Sequence, residues 1–132
     1  MEERNSSPAS GYIAFVLAAA SREEVLHRFP SRFEEVRAEH VTYLYGVTAN
    51  TAVPAAGTLR VLAYVCDQSL EALIIMVNGE TIRPDGSVFH LTLSKSAGRR
   101  SLESNQLAAR KDLWQTVEHF DLQAYSEFRL LE

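Results

Sequence analysis

Two short runs of this chain carry the same tripeptide pattern inside strand-like sequence, and no other feature constrains the fold as much. His40-Val41-Thr42 lies in EHVTYLYGV, and His90-Leu91-Thr92 lies in FHLTLS. Both runs are rich in β-branched and aromatic residues, so both read as strands. On a strand, residues i and i+2 share a face, about 6.5–7 Å apart. Each run therefore presents one imidazole and one hydroxyl side by side. Two such strands facing each other give a cleft with two histidines and two threonines.

The rest of the chain is consistent with one domain around such a cleft. Its 132 residues suffice for a core, and 46% hydrophobic with 23% charged residues is ordinary for a soluble globular protein. A formal net charge of −4 advertises no strongly basic surface for nucleic acid. The single Cys66 has no partner for an internal disulfide and no basic neighbour in sequence, so it reads as a small buried hydrophobe. Residues 1–10 are polar with Ser and Pro and read as a disordered tail, leaving residues 11–132 as the domain. The apolar run after the tail is too short to span a membrane and lacks a basic segment before it. The expectation is a cytoplasmic monomer without membrane association.

Hydrophobic periodicity places a first strand at Tyr12–Leu17, then a helix in SREEVLHRF with Ser21 as N-cap, stopped by Pro30. SRFEEVRAE reads as a short acidic helix or turn. The first motif strand is expected at Val41–Val47, with Gly46 marking a bulge or a close approach. A small-residue loop at 48–57 leads to strands at Leu59–Cys66 and Leu70–Asn78. NGETIRPDG is dense with turn signals before the second motif strand, Val88–Ser94. SLESNQLAARKDLW reads as a helix capped by Ser101 or Ser104, and TVEHFDLQAYSEFRLLE as one closing strand. Each half offers a small sheet, a helix and one His-x-Thr.

Paired histidines and threonines suit the breaking of a phosphodiester. One histidine activates the attacking oxygen and the other protonates the departing alkoxide, since the imidazole pKa lies near 6.5. Hydroxyl donors beside them stabilise charge on the non-bridging oxygens. HVTY at 40–43 and HLTL at 90–93 resemble the paired signature of the two-histidine (2H) phosphoesterase superfamily. That group includes the cyclic phosphodiesterase domain of tRNA ligases and the LigT-like RNA-repair proteins. The resemblance covers the chain from about Tyr12 to the C-terminal strand. The gap of 50 residues between the motif histidines is shorter than in larger members, so peripheral elements are expected to be missing.

The resemblance implies an α+β, bilobal fold: two small antiparallel sheets with flanking helices and a central cleft. It implies a phosphodiesterase, without metal or cofactor, that opens a 2′,3′-cyclic phosphate on a nucleotide or an RNA 3′ end. His40, Thr42, His90 and Thr92 would be catalytic, with His40 the base and His90 the acid. Alternatives are a 2′,5′-oligoadenylate or cyclic-oligonucleotide phosphodiesterase, or a nucleotide- or RNA-binding module without turnover.

Candidate substrate contacts surround the motifs. Tyr12 and Tyr45 are either packing residues or a rim on which a base stacks, Tyr45 reaching the rim through a bulge at Gly46. Tyr43 falls on the opposite face and reads as core. Ser94, Lys95 and Arg99 follow the second motif closely and are expected to hold phosphates, the alternative being a solvated surface loop. Asn105 either caps a helix or faces the cleft. His27 and His119 read as surface or structural residues, and no histidine pair has local zinc spacing.

Overall fold

LRVLAYVC alternates apolar and polar side chains, whereas LEALIIMV is almost wholly apolar. The first pattern suits a strand with one solvated face and the second a strand covered on both. The computed structural model describes residues 10–55 and 58–130 and makes them so: β4 (Leu59–Cys66) alternates buried residues with exposed or half-buried ones, while β5 (Leu70–Val77) is buried along nearly its whole length. The even and odd positions of β5 feed two cores. Leu73, Ile75 and Val77 join Phe15, Val41, Phe89 and Leu91 on one side of the sheet. Leu70, Ala72 and Ile74 meet Leu107 and Ala108 of α2 (Ser104–Ala108) on the other.

The remaining elements are β1 (Ser10–Leu17), α1 (Ala19–Arg28), β2 (Glu35–Val36), β3 (His40–Thr48), β6 (His90–Lys95), β7 (Gln115–Leu122) and β8 (Ala124–Leu130). All strand pairs are antiparallel, in the order β7-β4-β5-β6-β3-β1-β8, with β2 also pairing to β6. Only Gln123 separates β7 from β8, yet they occupy opposite ends of that order. One residue spans at most about 7 Å between its neighbours, so the sheet curls until its two edges meet. α1 fastens that corner: Ala18 N–H donates to the Gln123 carbonyl (2.8 Å) and Gln123 N–H donates to Ser21 Oγ (2.7 Å).

The result is a sheet-rich α+β fold with two short helices. Where two separate sheets were expected, the strands form one continuous eight-stranded sheet. Its halves, β7-β4-β5-β6 and β3-β1-β8, join through a single residue pair, Val41 with Leu91. That seam is narrow because β2 takes the rest of the β6 edge, pairing Glu35 with Lys95 and Val36 with Ser94. Arg37 and Ala38 N–H groups continue onto the Leu93 and Thr92 carbonyls. Ala38, buried at φ 60, then turns the chain away toward His40.

Several sequence expectations are corrected. Ser21 does not cap α1; the helix begins two residues earlier and the Ser21 hydroxyl serves the Gln123 corner. SRFEEVRAE holds no helix, only strand β2. The expected helix over 101–114 is short: α2 lies between two 3-10 turns, and neither Ser101 nor Ser104 makes a capping bond. The closing strand is two strands, because Leu122 and Ala124 belong to opposite sheet edges. Of the expected tail, only Ser10 lies within the described residues, and there it opens β1. No helix among the described residues is long and apolar enough to cross a membrane.

Candidate active site

The seam and the pleat together build the site. Val41 and Leu91 are fully buried in the core on one side of the sheet. Their neighbours His40, Thr42, His90 and Thr92 therefore project to the other side, where all four line one cleft of about 430 Å³. The sequence expectation that both motifs share a cleft is met in the geometry. Tyr12 and Tyr45 line the same cleft, their rings stacked at 5.5 Å, and the Tyr12 ring lies 5.7 Å from that of His40.

Strict alternation would put Tyr45 on the face opposite Thr42. The register of β3 on β1 shows how that is avoided: Thr42 pairs with Ala14, Leu44 with Ile13, Tyr45 with Tyr12 and Val47 with Gly11. Tyr43 and Gly46 are thus extra residues, two bulges in one strand. The bulge at Tyr43 inverts the parity, so His40, Thr42 and Tyr45 all fall on one face. Gly46, at φ 75, takes the second bulge as expected from the sequence. Tyr43 itself turns into the core against Phe15 and Phe89.

The two histidines sit in different environments. His90 is 9% exposed and donates Nδ1–H to the Val88 carbonyl at 2.8 Å, which leaves Nε2 with a free lone pair. Burial holds its pKa down to about 4; the Val88 hydrogen bond opposes this, while the charges of Arg83 and His40 add to it. His40 is half-buried, and burial followed by the charge of Arg129 lowers its pKa, against an opposing pull from Glu39. Its Nδ1 is shut from solvent without a hydrogen-bond partner among the described residues.

Residues that sequence reasoning missed complete the His90 side. Thr92 Oγ1 and Ser104 Oγ are 2.8 Å apart, and Ser104 is fully buried. Ser104 thereby fixes the Thr92 rotamer and leaves the second hydrogen-bonding capacity of that hydroxyl for the cleft. Arg83 and Asp85 enter from the RPDG turn, closed by Gly86 N–H on the Arg83 carbonyl with Gly86 at φ 92. Arg83 is 6% exposed; its Nε and Nη2 hold Asp85, and Nη2 also reaches Ser87 Oγ. Burial would raise the Asp85 carboxyl, but hydrogen bonds from Arg83 and Ser87 outweigh it and hold the pKa at about 2. Arg83 Nη1 makes no hydrogen bond among the described residues. The turn was legible in PDG; the signal overlooked was that its hairpin, pairing Ile82 with Val88, returns Arg83 beside His90.

Ser94, Lys95 and Arg99 lie outside the cleft lining. A bulge at Leu93, between the pairs Thr92–Ala72 and Ser94–Glu71, turns Ser94 to the face opposite His90 and Thr92, where Phe33 N–H donates to Ser94 Oγ, which donates to the buried Glu71 carboxylate at 2.5 Å. Lys95 Nζ is held by Glu35 and the Arg99 carbonyl. Arg99 is spent on Asp67, Ser69 and Glu103. The basic loop fastens the chain to itself, whereas the buried Arg83 lines the cleft. Cys66 is half-buried, and Arg32 Nη1 donates to its sulfur at 3.3 Å, a basic neighbour invisible in the local sequence. His27 and His119 are exposed and do not line the cleft. Among the described residues no group of three or more His, Cys, Asp or Glu side chains is placed to hold a metal ion. No family model, no curated protein and no solved structure matches this chain.

Proposed function

We propose that the cleft is the active site of a 2H-type phosphodiesterase that hydrolyses a 2′,3′-cyclic phosphate on a nucleotide or an RNA end. The observation that carries this reading is the convergence of both His-x-Thr strands on one cleft across the Val41–Leu91 pair. Nothing in a structural role requires two imidazoles and two hydroxyls to share that space.

The environments favour His90 as base and His40 as acid, the reverse of what the family resemblance implies. His90 is the neutral histidine with a fixed tautomer: Nδ1–H is committed to Val88 and Nε2 is free to take a proton. In the reaction, Nε2 removes a proton from water as its oxygen bonds to phosphorus. The bond from phosphorus to one ribose oxygen breaks, and His40 protonates that oxygen, leaving a phosphomonoester and a free hydroxyl. The anionic phosphate in the cleft favours the protonated form of His40 that this step needs. Thr42 and Thr92 hydroxyls and the free Nη1 of Arg83 are the donors for the non-bridging oxygens. Tyr12 and Tyr45 offer a stacking surface for the nucleobase.

The test is hydrolysis of 2′,3′-cyclic nucleotides in EDTA by wild type, His40→Ala and His90→Ala. Turnover by wild type that is lost in both variants supports the assignment. Absence of turnover on these, on 2′,5′-linked oligonucleotides and on cyclic oligonucleotides overturns it in favour of a binding module.

A further inference from the structure

The two edge strands of the sheet are built differently. β7 is irregular: between the pairs Val61–Phe120 and Ala63–Thr116, residues 117–119 stand opposite Leu62 alone. Such a bulge turns an edge away from further pairing. β8 has no such device. Its residues pair one for one with β1, from Ala124–Leu17 to Leu130–Gly11, and AYSEFRL holds neither proline nor lysine. The two edges meet at Gln123 and form no ladder with each other. Among the described residues, no backbone N–H or carbonyl of β8 bonds outside its ladder with β1. The Arg129 carbonyl lies against Gly11 of β1. By the alternation of an antiparallel ladder, the backbone polar groups of Ser126, Phe128 and Leu130 then point outward along the free edge.

The side chains of this edge complement themselves. Through the registers of β8 on β1 and β1 on β3, Glu127 and Arg129 share the face of Thr42 and Tyr45, and Ser126, Phe128 and Leu130 take the other. Glu127 and Arg129 already pair within the chain at 2.5 Å. When a second β8 is laid antiparallel to the first with Phe128 at the centre, each Glu127 faces the second copy's Arg129. The two Phe128 residues meet on the opposite face, with each Leu130, 57% exposed in the single chain, diagonal to the other copy's Phe128. Centring on Glu127 would oppose two carboxylates, and centring on Arg129 two guanidiniums. We propose that two copies of this chain associate through β8, antiparallel about a two-fold at Phe128, in place of the monomer expected from the sequence. A two-fold normal to the sheet keeps the faces matched, so both clefts open on the same side of one joined sheet. The association is independent of what the cleft binds or cleaves.

The experiment is sedimentation equilibrium of the full chain over a dilution series. So short an edge should give a weak dimer, with Kd about 1–100 μM. Glu127→Arg alone and Arg129→Glu alone each set like charges opposite one another on both sides of the two-fold, and each should weaken the dimer about tenfold. The double exchange, Glu127→Arg with Arg129→Glu, restores opposite signs and should return Kd to within about threefold of wild type. Leu130→Lys, at an exposed position, should weaken the dimer as well. Circular dichroism and thermal unfolding of dilute samples check that each variant keeps its fold. A wild type that stays monomeric up to about 1 mM overturns the proposal. So does a dimer indifferent to both single reversals, or a double exchange that associates as poorly as they do. Where a charge reversal unfolds the chain, Leu130→Lys decides: an unchanged Kd overturns the edge, and a raised one supports it.

Discussion

On β6, His90 is buried, tied through Nδ1 to Val88 and flanked by the Arg83–Asp85 pair, while Thr92 leans on Ser104. On β3, His40 is half-buried, faces the Tyr12 ring, and has, among the described residues, neither a partner for Nδ1 nor a hydroxyl behind its threonine comparable to Ser104. An antiparallel pair centred on Val41 and Leu91 relates the two motifs by a local two-fold, so the backbone treats them alike. The surroundings do not. The difference teaches that matching His-x-Thr motifs acquire unequal proton affinities from what packs behind them, which is what a reaction needing one base and one acid requires.

The largest effect that tests this asymmetry is loss of either imidazole. His90→Asn keeps an N–H donor for Val88 but removes Nε2, the proposed base, and His40→Asn removes the proposed acid. Each should lower kcat by about 10²–10⁴-fold. The pH profiles should then differ. With the base titrating near pH 4 and the acid below 6.5, wild-type kcat/KM should form a bell on the acidic side of 6.5. His90→Asn should lose its acidic limb and His40→Asn its basic limb. The opposite pattern would reassign the roles.

A second test reads stability rather than rate. The His90 pKa is about 4 folded against about 6.5 in the unfolded chain. As pH falls, the unfolded chain takes up the proton first, so the stability present above about pH 6.5 is lost progressively down to about pH 4. The expected loss is about 3 kcal/mol from this group. Denaturant unfolding between pH 7 and 4 should show it on top of the smaller loss from His40, whose pKa is also lowered by burial, and His90→Asn should reduce the slope by its own share. A slope unchanged in that variant would mean that His90 is not the buried neutral histidine described above.

Third comes the tyrosine wall, which only the His40 side possesses. Tyr45→Ala removes a half-exposed ring stacked on Tyr12 and should raise KM for nucleotide substrates by an amount equivalent to about 1–3 kcal/mol. Stability should change by no more than about 0.5 kcal/mol, as at other surface positions. A fall in kcat at unchanged KM would make Tyr45 part of the proton-transfer machinery instead.

Legibility in the sequence follows the same division between backbone pattern and packing. Strand β4 and strand β5 were readable because alternation in LRVLAYVC and an unbroken apolar run in LEALIIMV are local signals. The motif strands were readable for the same reason, and with them four residues of the cleft. What was not readable depends on contacts distant in sequence. Gln123 divides one apparent strand because the two sheet edges meet there. Tyr45 reaches the cleft through a bulge at Tyr43 that only the register with β1 reveals. Ser94 leaves the motif face through a bulge at Leu93 that only the register with β5 reveals, and Arg99 is consumed by carboxylates from 67 and 103. Arg83 and Ser104, by contrast, came from a turn and a short helix whose residues carried no chemical pattern of their own.

The smallest effect separates the two threonines. Thr92 Oγ1 shares a 2.8 Å hydrogen bond with the fully buried Ser104 hydroxyl, so Thr92→Val strands a buried polar group. That should destabilise the fold by about 1 kcal/mol or somewhat more. Thr42 makes no side-chain hydrogen bond among the described residues, and Thr42→Val replaces a half-exposed hydroxyl by a methyl of similar size; its stability should be nearly that of wild type. If both hydroxyls donate to the phosphate, the two variants nevertheless lose similar amounts of kcat/KM. Thr92→Val combined with Ser104→Ala makes the point sharper. Removing both partners leaves no stranded group, so stability should recover part of the loss while activity does not. Activity that recovers with stability would show that Thr92 acts through the fold and not on the substrate.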